Sequence, residues 1–167
     1  MKKILLISDT HGHLDDAILK YVNQADEVWH AGDIGIAVIS DELIKLKPLR
    51  AVYGNIDDHE LRSIFKEDLR FNCEGVKVFM THIGGYPGNY NNRVRKLLQK
   101  ERPKLFICGH SHILKVMYDK KLSILHMNPG AAGVFGFHKI RTLLRFTIDK
   151  GKIDNVEVVE LDAKGKT

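Results

Sequence analysis

Side chains of the kinds that bind divalent metal ions follow several apolar runs in this 167-residue sequence. They offer two carboxylates, four imidazoles and one amide: Asp9, His11, Asp33, Asn55, His82, His110 and His112. Because the set contains no thiolate, it favours borderline-to-hard divalent ions, with Mn²⁺ first and iron, nickel or zinc as alternatives. Seven donors exceed the need of one ion that also binds solvent, so they predict two ions sharing one bridging carboxylate.

The chemistry expected of two such ions is hydrolysis of a phosphate ester. Two divalent cations carry four positive charges, of which the carboxylates of Asp9 and Asp33 neutralise two. Hydroxide that bridges the ions is a strong nucleophile at neutral pH, and a phosphate group can contact both cations. We therefore expect a metal-dependent phosphoesterase, more specifically a phosphodiesterase, in which this hydroxide attacks phosphorus. Its expected catalytic residues are Asp33, Asn55 and His82.

Each donor also has a plainer interpretation when it is taken alone. An aspartate after a strand usually caps the next helix, and a lone histidine is usually a hydrogen-bonded polar residue. In near-extended backbone, Asp9 and His11 would project to the same side and could share one ion. The alternative is a turn in which Asp9 caps the following helix. Recurrence of the pattern at five strand ends favours the metal site.

The elements that position these donors are predicted from hydrophobic patterning. The strands that precede the donors are predicted at 4–7, 27–31, 50–53, 76–80 and 105–108. The remaining strands are predicted at 69–72, 116–118, 123–127, 144–148 and 153–161. Helical spacing predicts helices at 14–23, 39–46, 58–65 and 91–101. A β-α-β-α-β start followed by mostly β structure predicts an α/β layered fold with two packed sheets and helices outside.

Length and composition are those of one soluble domain, which we assign to residues 1–167. The apolar runs are too short to span a membrane, and the run after Met1 is too short for a signal peptide. Cys73 and Cys108 lie in strand-like surroundings without paired spacing, so we expect reduced thiols in a cytoplasmic protein. The net charge of +5 is modest, so we expect no stable nucleic-acid complex.

Taken in order, the donor motifs resemble those of calcineurin-like metallophosphoesterases. The motifs are Asp9-x-His11, Gly32-Asp33, Gly54-Asn55, His82 and Gly109-His110-Ser111-His112. The resemblance runs from residue 4 to about residue 130, and the small size with Asn128-Pro129-Gly130 makes the chain most similar to the compact YfcE-like phosphodiesterases. It implies a four-layer αββα sandwich of two mixed sheets flanked by helices. It also implies one ion held by Asp9, His11, Asp33 and His112, and another held by Asp33, Asn55, His82 and His110.

The sequence departs from that family's pattern at one position. Many members carry a histidine directly after the asparagine, where it protonates the leaving alcohol, but here the residue is Ile56. General acid catalysis contributes about 10²–10⁴-fold. We therefore expect faster turnover of esters with good leaving groups than of simple alkyl esters.

Three further residues are candidates for supporting roles. His13 either contacts substrate or belongs to the start of a helix, Asp57 is expected to orient a ligand, and His138 is expected near the mouth of the site.

The expected partner is a phosphodiester small molecule or a nucleotide, and a homo-oligomer is possible. One alternative function is that of a non-catalytic protein-binding scaffold, because a retromer subunit shares the fold. The other alternative is a small nuclease, although the chain has no room for the extra DNA-binding domain of the larger DNA-repair members.

Overall fold

The computed structural model of the chain describes residues 1–163. Within this range the strands are β1 (Lys2–Ile7), β2 (Glu27–His30), β3 (Leu49–Ala51), β4 (Asp68–Cys73), β5 (Val76–Thr81), β6 (Leu105–Ile107), β7 (Leu114–Asp119), β8 (Ile124–Pro129), β9 (Ile140–Asp149) and β10 (Lys152–Ala163). The helices are α1 (Asp16–Gln24), α2 (Ala37–Leu46), α3 (His59–Ile64) and α4 (Asn92–Glu101). Every predicted helix and strand is therefore present, with shifted ends.

The strands form two mixed sheets of five strands each. The first has the order β10-β9-β1-β2-β3, in which β1, β2 and β3 are parallel. The second has the order β4-β5-β6-β8-β7, in which β5, β6 and β8 are parallel. Helices α1, α2 and α3 pack on the first sheet and α4 packs on the second. This architecture confirms the expected four-layer αββα sandwich.

The core explains why β1 is apolar at consecutive positions. Ile4 and Leu6 face the second sheet and join the apolar layer between the sheets, which contains Trp29. Leu5 and Ile7 face the helices on the other side. Because both faces of β1 are covered, neither face tolerates polar residues. The strand is thereby fixed in the centre of the molecule, and its carboxyl end is a fixed point for the residues that follow.

Asp15 is the N-cap residue of α1, and its Oδ1 accepts a hydrogen bond from the Ile18 amide over 3.1 Å. The alternative in which Asp9 caps this helix is therefore wrong, because the chain turns for several more residues before the helix begins.

Cys73 and Cys108 are both buried and free. Helices long and apolar enough to cross a membrane do not occur among residues 1–163.

We expect the Glu27 carboxylate to stabilise the fold in a pH-dependent way. Glu27 is buried at the start of β2 and accepts hydrogen bonds from Lys2, Trp29 Nε1 (3.1 Å) and Arg50 Nε (3.0 Å). Burial alone would raise its pKa, but these donors outweigh burial and lower the pKa from 4.5 to about 2. Since the folded pKa lies below the unfolded pKa, this stabilisation is complete above about pH 4.5 and is lost as pH falls towards 2.

Glu27→Gln should therefore lower the free energy of unfolding at pH 7 by about 2 kcal/mol and flatten its decline between pH 4.5 and 2. Urea unfolding at a series of pH values measures both effects. The matched control is Glu157→Gln, since Glu157 is an exposed carboxylate paired with Arg145, and its effect should stay below about 0.5 kcal/mol. Equal pH profiles for wild type and Glu27→Gln would contradict the assignment.

Candidate metal centre

The carboxyl ends of strands from both sheets meet at one edge of the sandwich. The Asp9 amide after β1 donates to the Gly32 carbonyl after β2 over 3.0 Å, and the Gly109 amide after β6 donates to the His82 carbonyl after β5 over 2.9 Å. These hydrogen bonds hold neighbouring strand ends together within each sheet, and the His110 amide donates to Asp9 Oδ2 from one sheet to the other over 3.1 Å. As a result, all seven residues predicted as metal ligands lie together at this edge.

The donor atoms form two adjoining groups. The first consists of Asp9, His11 and His112, and the second of Asp33, His82 and His110; within each group the donor atoms lie within 4.8 Å of one another. Asn55 borders the second group, because its Oδ1 lies 2.9 Å from His110 Nδ1. The side chains thus lie in the two sets that the family resemblance implies, with Asp33 grouped here only with the second.

Asp33 lies between the two groups. Its Oδ2 is 3.2 Å from His82 Nε2 and 3.5 Å from His11 Nε2, which belongs to the first group. Asp9 Oδ1 is 3.2 Å from His112 Nε2, and it is also 3.8 Å from His82 Nε2, which belongs to the second group. The two groups are therefore contiguous, and Asp33 has the position that a carboxylate shared by two ions requires.

Buried polar atoms without partners indicate that this donor set is built for cations. Within residues 1–163, Asp9 Oδ1, His11 Nε2 and His82 Nε2 are buried and lack a hydrogen-bond partner. Leaving such an atom unsatisfied costs about 1–3 kcal/mol. Divalent cations would satisfy all three atoms at once, and carboxylate with imidazole donors suits such ions. The residues present therefore fit a pair of divalent metal ions.

Hydrogen bonds fix the orientation of the His82 ring. His82 Nδ1 lies 2.7 Å from the Ala31 carbonyl oxygen. Because a carbonyl only accepts, Nδ1 carries the proton and donates it, which leaves the Nε2 lone pair directed at the carboxylates. An imidazole held in this way by a backbone carbonyl is a typical arrangement for a metal ligand.

The two carboxylates are ionised at neutral pH. Burial raises the pKa of Asp9, but the neighbouring imidazoles of His11 and His112 lower it well below its ordinary value. For Asp33, burial again raises the pKa, and the adjacent His82 imidazole lowers it below its ordinary value. The centre therefore presents two negative charges to a cation.

Left-handed backbone brings most of the donors into place. Positive φ angles occur at Asp9 (53°), His11 (45°), Asp33 (54°), His110 (69°) and His112 (58°). The expectation that Asp9 and His11 lie in near-extended backbone is therefore wrong, because hydrogen bonds to the strand-β2 loop bend the chain into a turn. Such angles cost about 1–3 kcal/mol each and are typical of functional sites.

Two glycines allow the backbone to approach these donors closely. A Cβ at Gly32 would lie 2.6 Å from His82 Nδ1, and a Cβ at Gly54 would overlap Asp33 Oδ1. Because the second overlap also involves the Asp33 backbone nitrogen, no side-chain rotation could relieve it. Glycine before the donor is thus a steric requirement in both the Gly32-Asp33 and the Gly54-Asn55 pair.

Asp57 lies beneath the centre and supports two of its loops. Its carboxylate is buried and accepts from the amides of Gly35 (2.8 Å), Ile34 (3.2 Å) and Gly54 (2.8 Å). These amides belong to the segments that carry Asp33 and Asn55. The role expected for Asp57, that of orienting ligands, agrees with these contacts.

The other candidate histidines lie in different surroundings. His13 Nε2 is 3.0 Å from Asp15 Oδ2, so His13 is part of the helix start rather than of either donor group. His138 lies at the mouth of the centre, with Nδ1 3.2 Å from His112 Nδ1 and Nε2 2.8 Å from the Gly133 carbonyl oxygen. Because the carbonyl only accepts, the proton lies on His138 Nε2, and His138 Nδ1 accepts a hydrogen bond from His112 Nδ1. The lone pair of His112 is therefore on Nε2, which faces Asp9.

Two contributors were not among the predicted site residues. The Asn128 amide donates to the Gly109 carbonyl (2.9 Å) and to Ser111 Oγ (3.1 Å), which holds the turn before His112. The Phe135 ring packs on the His11 ring with centroids 5.1 Å apart. The signal for Asn128 was the Asn-Pro-Gly loop at the end of an apolar run; Phe135 carries no comparable sequence signal.

Loss of the His138 ring should weaken metal binding without removing a ligand. His138→Ala is expected to lower Mn²⁺ affinity about 10–100-fold, because His112 loses the acceptor that fixes its tautomer. Isothermal titration of the metal-free protein measures the effect. His13→Ala is the matched control, since it removes a nearby histidine outside the donor groups. Equal affinities for the two variants would show that His138 does not orient His112.

Comparison with known proteins agrees with the fold and the donor set. Residues 1–151 match the family described as the calcineurin-like phosphoesterase superfamily domain. The chain belongs to this superfamily, and it combines the family's αββα fold with two candidate metal-binding groups.

Individual relatives support the same assignment. A probable metallophosphoesterase of Mycoplasma pneumoniae is 28% identical over 164 residues, covering 93% of this chain and 96% of the relative. A probable metallophosphoesterase of Methanocaldococcus jannaschii is 31% identical over 135 residues, covering 77% of this chain and 67% of the relative. The structure of Vps29 from Entamoeba histolytica in complex with Zn²⁺ is similar with a TM-score of 0.73 and 17% identity, covering 96% of this chain and 98% of that one. At that identity the last similarity establishes the fold alone.

Proposed function

We propose that this protein is a phosphodiesterase that uses two divalent metal ions, most favourably Mn²⁺. The observation that carries the proposal is the pair of contiguous donor groups with three buried, unpartnered donor atoms among the described residues. A protein that served only as a scaffold would gain nothing from leaving these atoms unsatisfied. Membership of a phosphoesterase superfamily supports hydrolysis of a phosphate ester as the reaction.

Individual residues have distinct parts in this proposal. Asp9, His11 and His112 would hold one ion, Asn55, His82 and His110 the other, and Asp33 both. When bound, the ions supply an activated water and positive charge against the phosphate oxygens. Asp33 and His82 keep the two sites adjacent, and Asn55 borders the side open to solvent.

The substrate is expected to be a small phosphodiester or a nucleotide that reaches an open cleft. That cleft has a volume of about 450 Å³ and is lined by His11, Asp33, Asn55, His110 and His112 among others. Free buried thiols at Cys73 and Cys108 support a reducing, cytoplasmic location. Assembly into a homo-oligomer remains part of the proposal and is measurable by light scattering.

The test is hydrolysis of bis-p-nitrophenyl phosphate by the purified full chain. Activity should require added Mn²⁺, disappear in EDTA and return when the metal is restored. Asp33→Asn should be far slower than wild type, because it removes the carboxylate shared by the two groups. Equal rates for the two proteins would instead favour the protein-binding scaffold, and rapid cleavage of DNA would favour the nuclease.

A further inference from the structure

Exposed apolar side chains surround the mouth of the metal centre. Four of them, which we call the apolar rim, line the same cleft as the donor groups: Ile56, Ile113, Phe135 and Phe137. Phe137 is fully exposed, Phe135 is 68% exposed and Ile113 is 63% exposed. Exposed apolar side chains that line one cleft are typical of binding sites. The apolar rim is therefore a candidate binding surface.

The loop that carries the two phenylalanines is fixed at both ends. The Gly133 amide donates to the Asp9 carbonyl oxygen over 3.1 Å, which ties the loop to the end of β1. His138 closes the loop through its 2.8 Å contact with the Gly133 carbonyl oxygen. Between these points Phe135 packs on His11. The loop therefore holds the Phe135 ring beside the donor groups and presents the Phe137 ring to solvent at the same cleft.

The charges in the cleft define what the occupant must be. Among the described residues that line it, Asp33 is the only one with a carboxylate, ammonium or guanidinium group, and it belongs to the floor. The walls thus offer apolar surface and flat rings from Phe135, Phe137 and His138. Aromatic rings prefer to pack on other rings in offset or edge-to-face geometry. An uncharged, flat group would pack on the apolar side chains of the cleft, and a phosphate attached to it would lie at the metal centre.

We propose that the apolar rim binds an aromatic ring carried by the substrate, while the substrate's phosphate lies at the metal centre. This inference rests on the proposed phosphodiesterase function and adds a preference for aromatic esters to it. Phe137 is the specificity-determining residue with the most surface to bury. A second copy of this chain is the competing occupant, and it makes a different prediction about oligomeric state.

Phosphonates measure binding at the apolar rim independently of hydrolysis, because these compounds share a head group and are not hydrolysed. In isothermal titration of the Mn²⁺-loaded protein, phenylphosphonate should bind about tenfold more tightly than methylphosphonate. That factor corresponds to about 1.4 kcal/mol, or burial of about 55 Å² of apolar surface. Cyclohexylphosphonate should fall between the two if ring packing contributes beyond area.

Phe137→Ala should reduce the tenfold preference to about twofold or less, and Phe137→Tyr should retain it because the ring remains. Val134→Ala is the matched control: it changes an exposed apolar residue of the same segment that does not line the cleft, and the preference should be unchanged. Equal affinities of wild type for phenylphosphonate and methylphosphonate would overturn the proposal that the apolar rim binds an aromatic ring, and would leave the proposed phosphodiesterase function intact. Absence of binding by either phosphonate would overturn the proposed function together with the rim. A wild-type dimer that Phe137→Ala converts to monomer would identify a second copy as the occupant.

Discussion

Asp9→Asn is expected to lower kcat/KM on bis-p-nitrophenyl phosphate by about 10³-fold while leaving the metal-free protein as stable as wild type or more so. Asp9 Oδ1 is buried without a partner within the described chain and faces the Nε2 atoms of His11, His82 and His112. Asparagine has the same shape but removes one of the two negative charges that would hold the ions. Removing a single well-placed electrostatic group from an active site costs about 10²–10³-fold, and loss of a ligand should reach the upper end.

The stability effect follows from the same geometry. Ser8 Oγ and the His110 amide both donate to Asp9 Oδ2, over 2.6 and 3.1 Å, and the Asn oxygen can keep these hydrogen bonds. The new amide N–H groups would then point at imidazole nitrogens, which can accept. A buried atom without a partner becomes a satisfied one, worth about 1 kcal/mol.

Two measurements check this prediction. Urea unfolding in EDTA gives the metal-free stability, and the rate of bis-p-nitrophenyl phosphate hydrolysis with added Mn²⁺ gives kcat/KM. Asp16→Asn provides a control, since Asp16 lies in the first turn of α1 and outside the donor groups. Full activity in Asp9→Asn, or a metal-free protein that is much less stable, would show that Asp9 is a structural residue.

Hydrophobic patterning predicted the strands that carry the donors because β1, β2, β5 and β6 are covered on both sides. A strand in that position is mostly apolar, so the point at which ligand-type polar residues begin marks its end. The parallel arrangement then brings such ends to one edge. For these reasons, the proximity of Asp9 and Asp33 could be predicted from the sequence, whereas that of His82, which follows a strand of the second sheet, also depends on how the two sheets pack.

Features set by tertiary contacts were not predictable in the same way. The left-handed backbone at Asp9 and His11 depends on hydrogen bonds to Gly32 and Asp33, which are more than twenty residues away. A local reading of the sequence gives extended backbone there. The rim residue Phe135 was missed for a related reason, because its position beside His11 is fixed by the anchoring of its loop to β1.

Ile56→His should accelerate hydrolysis of diesters with poor leaving groups by about 10²-fold while changing p-nitrophenyl esters little. Ile56 lines the cleft, is 45% exposed, and its amide donates to Asp33 Oδ1 over 3.0 Å. A histidine there would project from the same backbone position towards the leaving group. General acid catalysis contributes about 10²–10⁴-fold, and most of that gain goes to alcohols that leave poorly as anions.

A series of aryl and alkyl diesters with leaving groups of increasing pKa measures the effect as a slope. Wild type should show a steep fall in kcat/KM with leaving-group pKa, since the cleft offers an isoleucine where a proton donor would act. Ile56→His should flatten the slope, and Ile56→Gln, which is polar but donates no proton to a departing alkoxide, should leave it steep. A flat slope in wild type would mean that another group already protonates the leaving alcohol. His110 would then be the first residue to test, because it lines the same cleft beside Asn55.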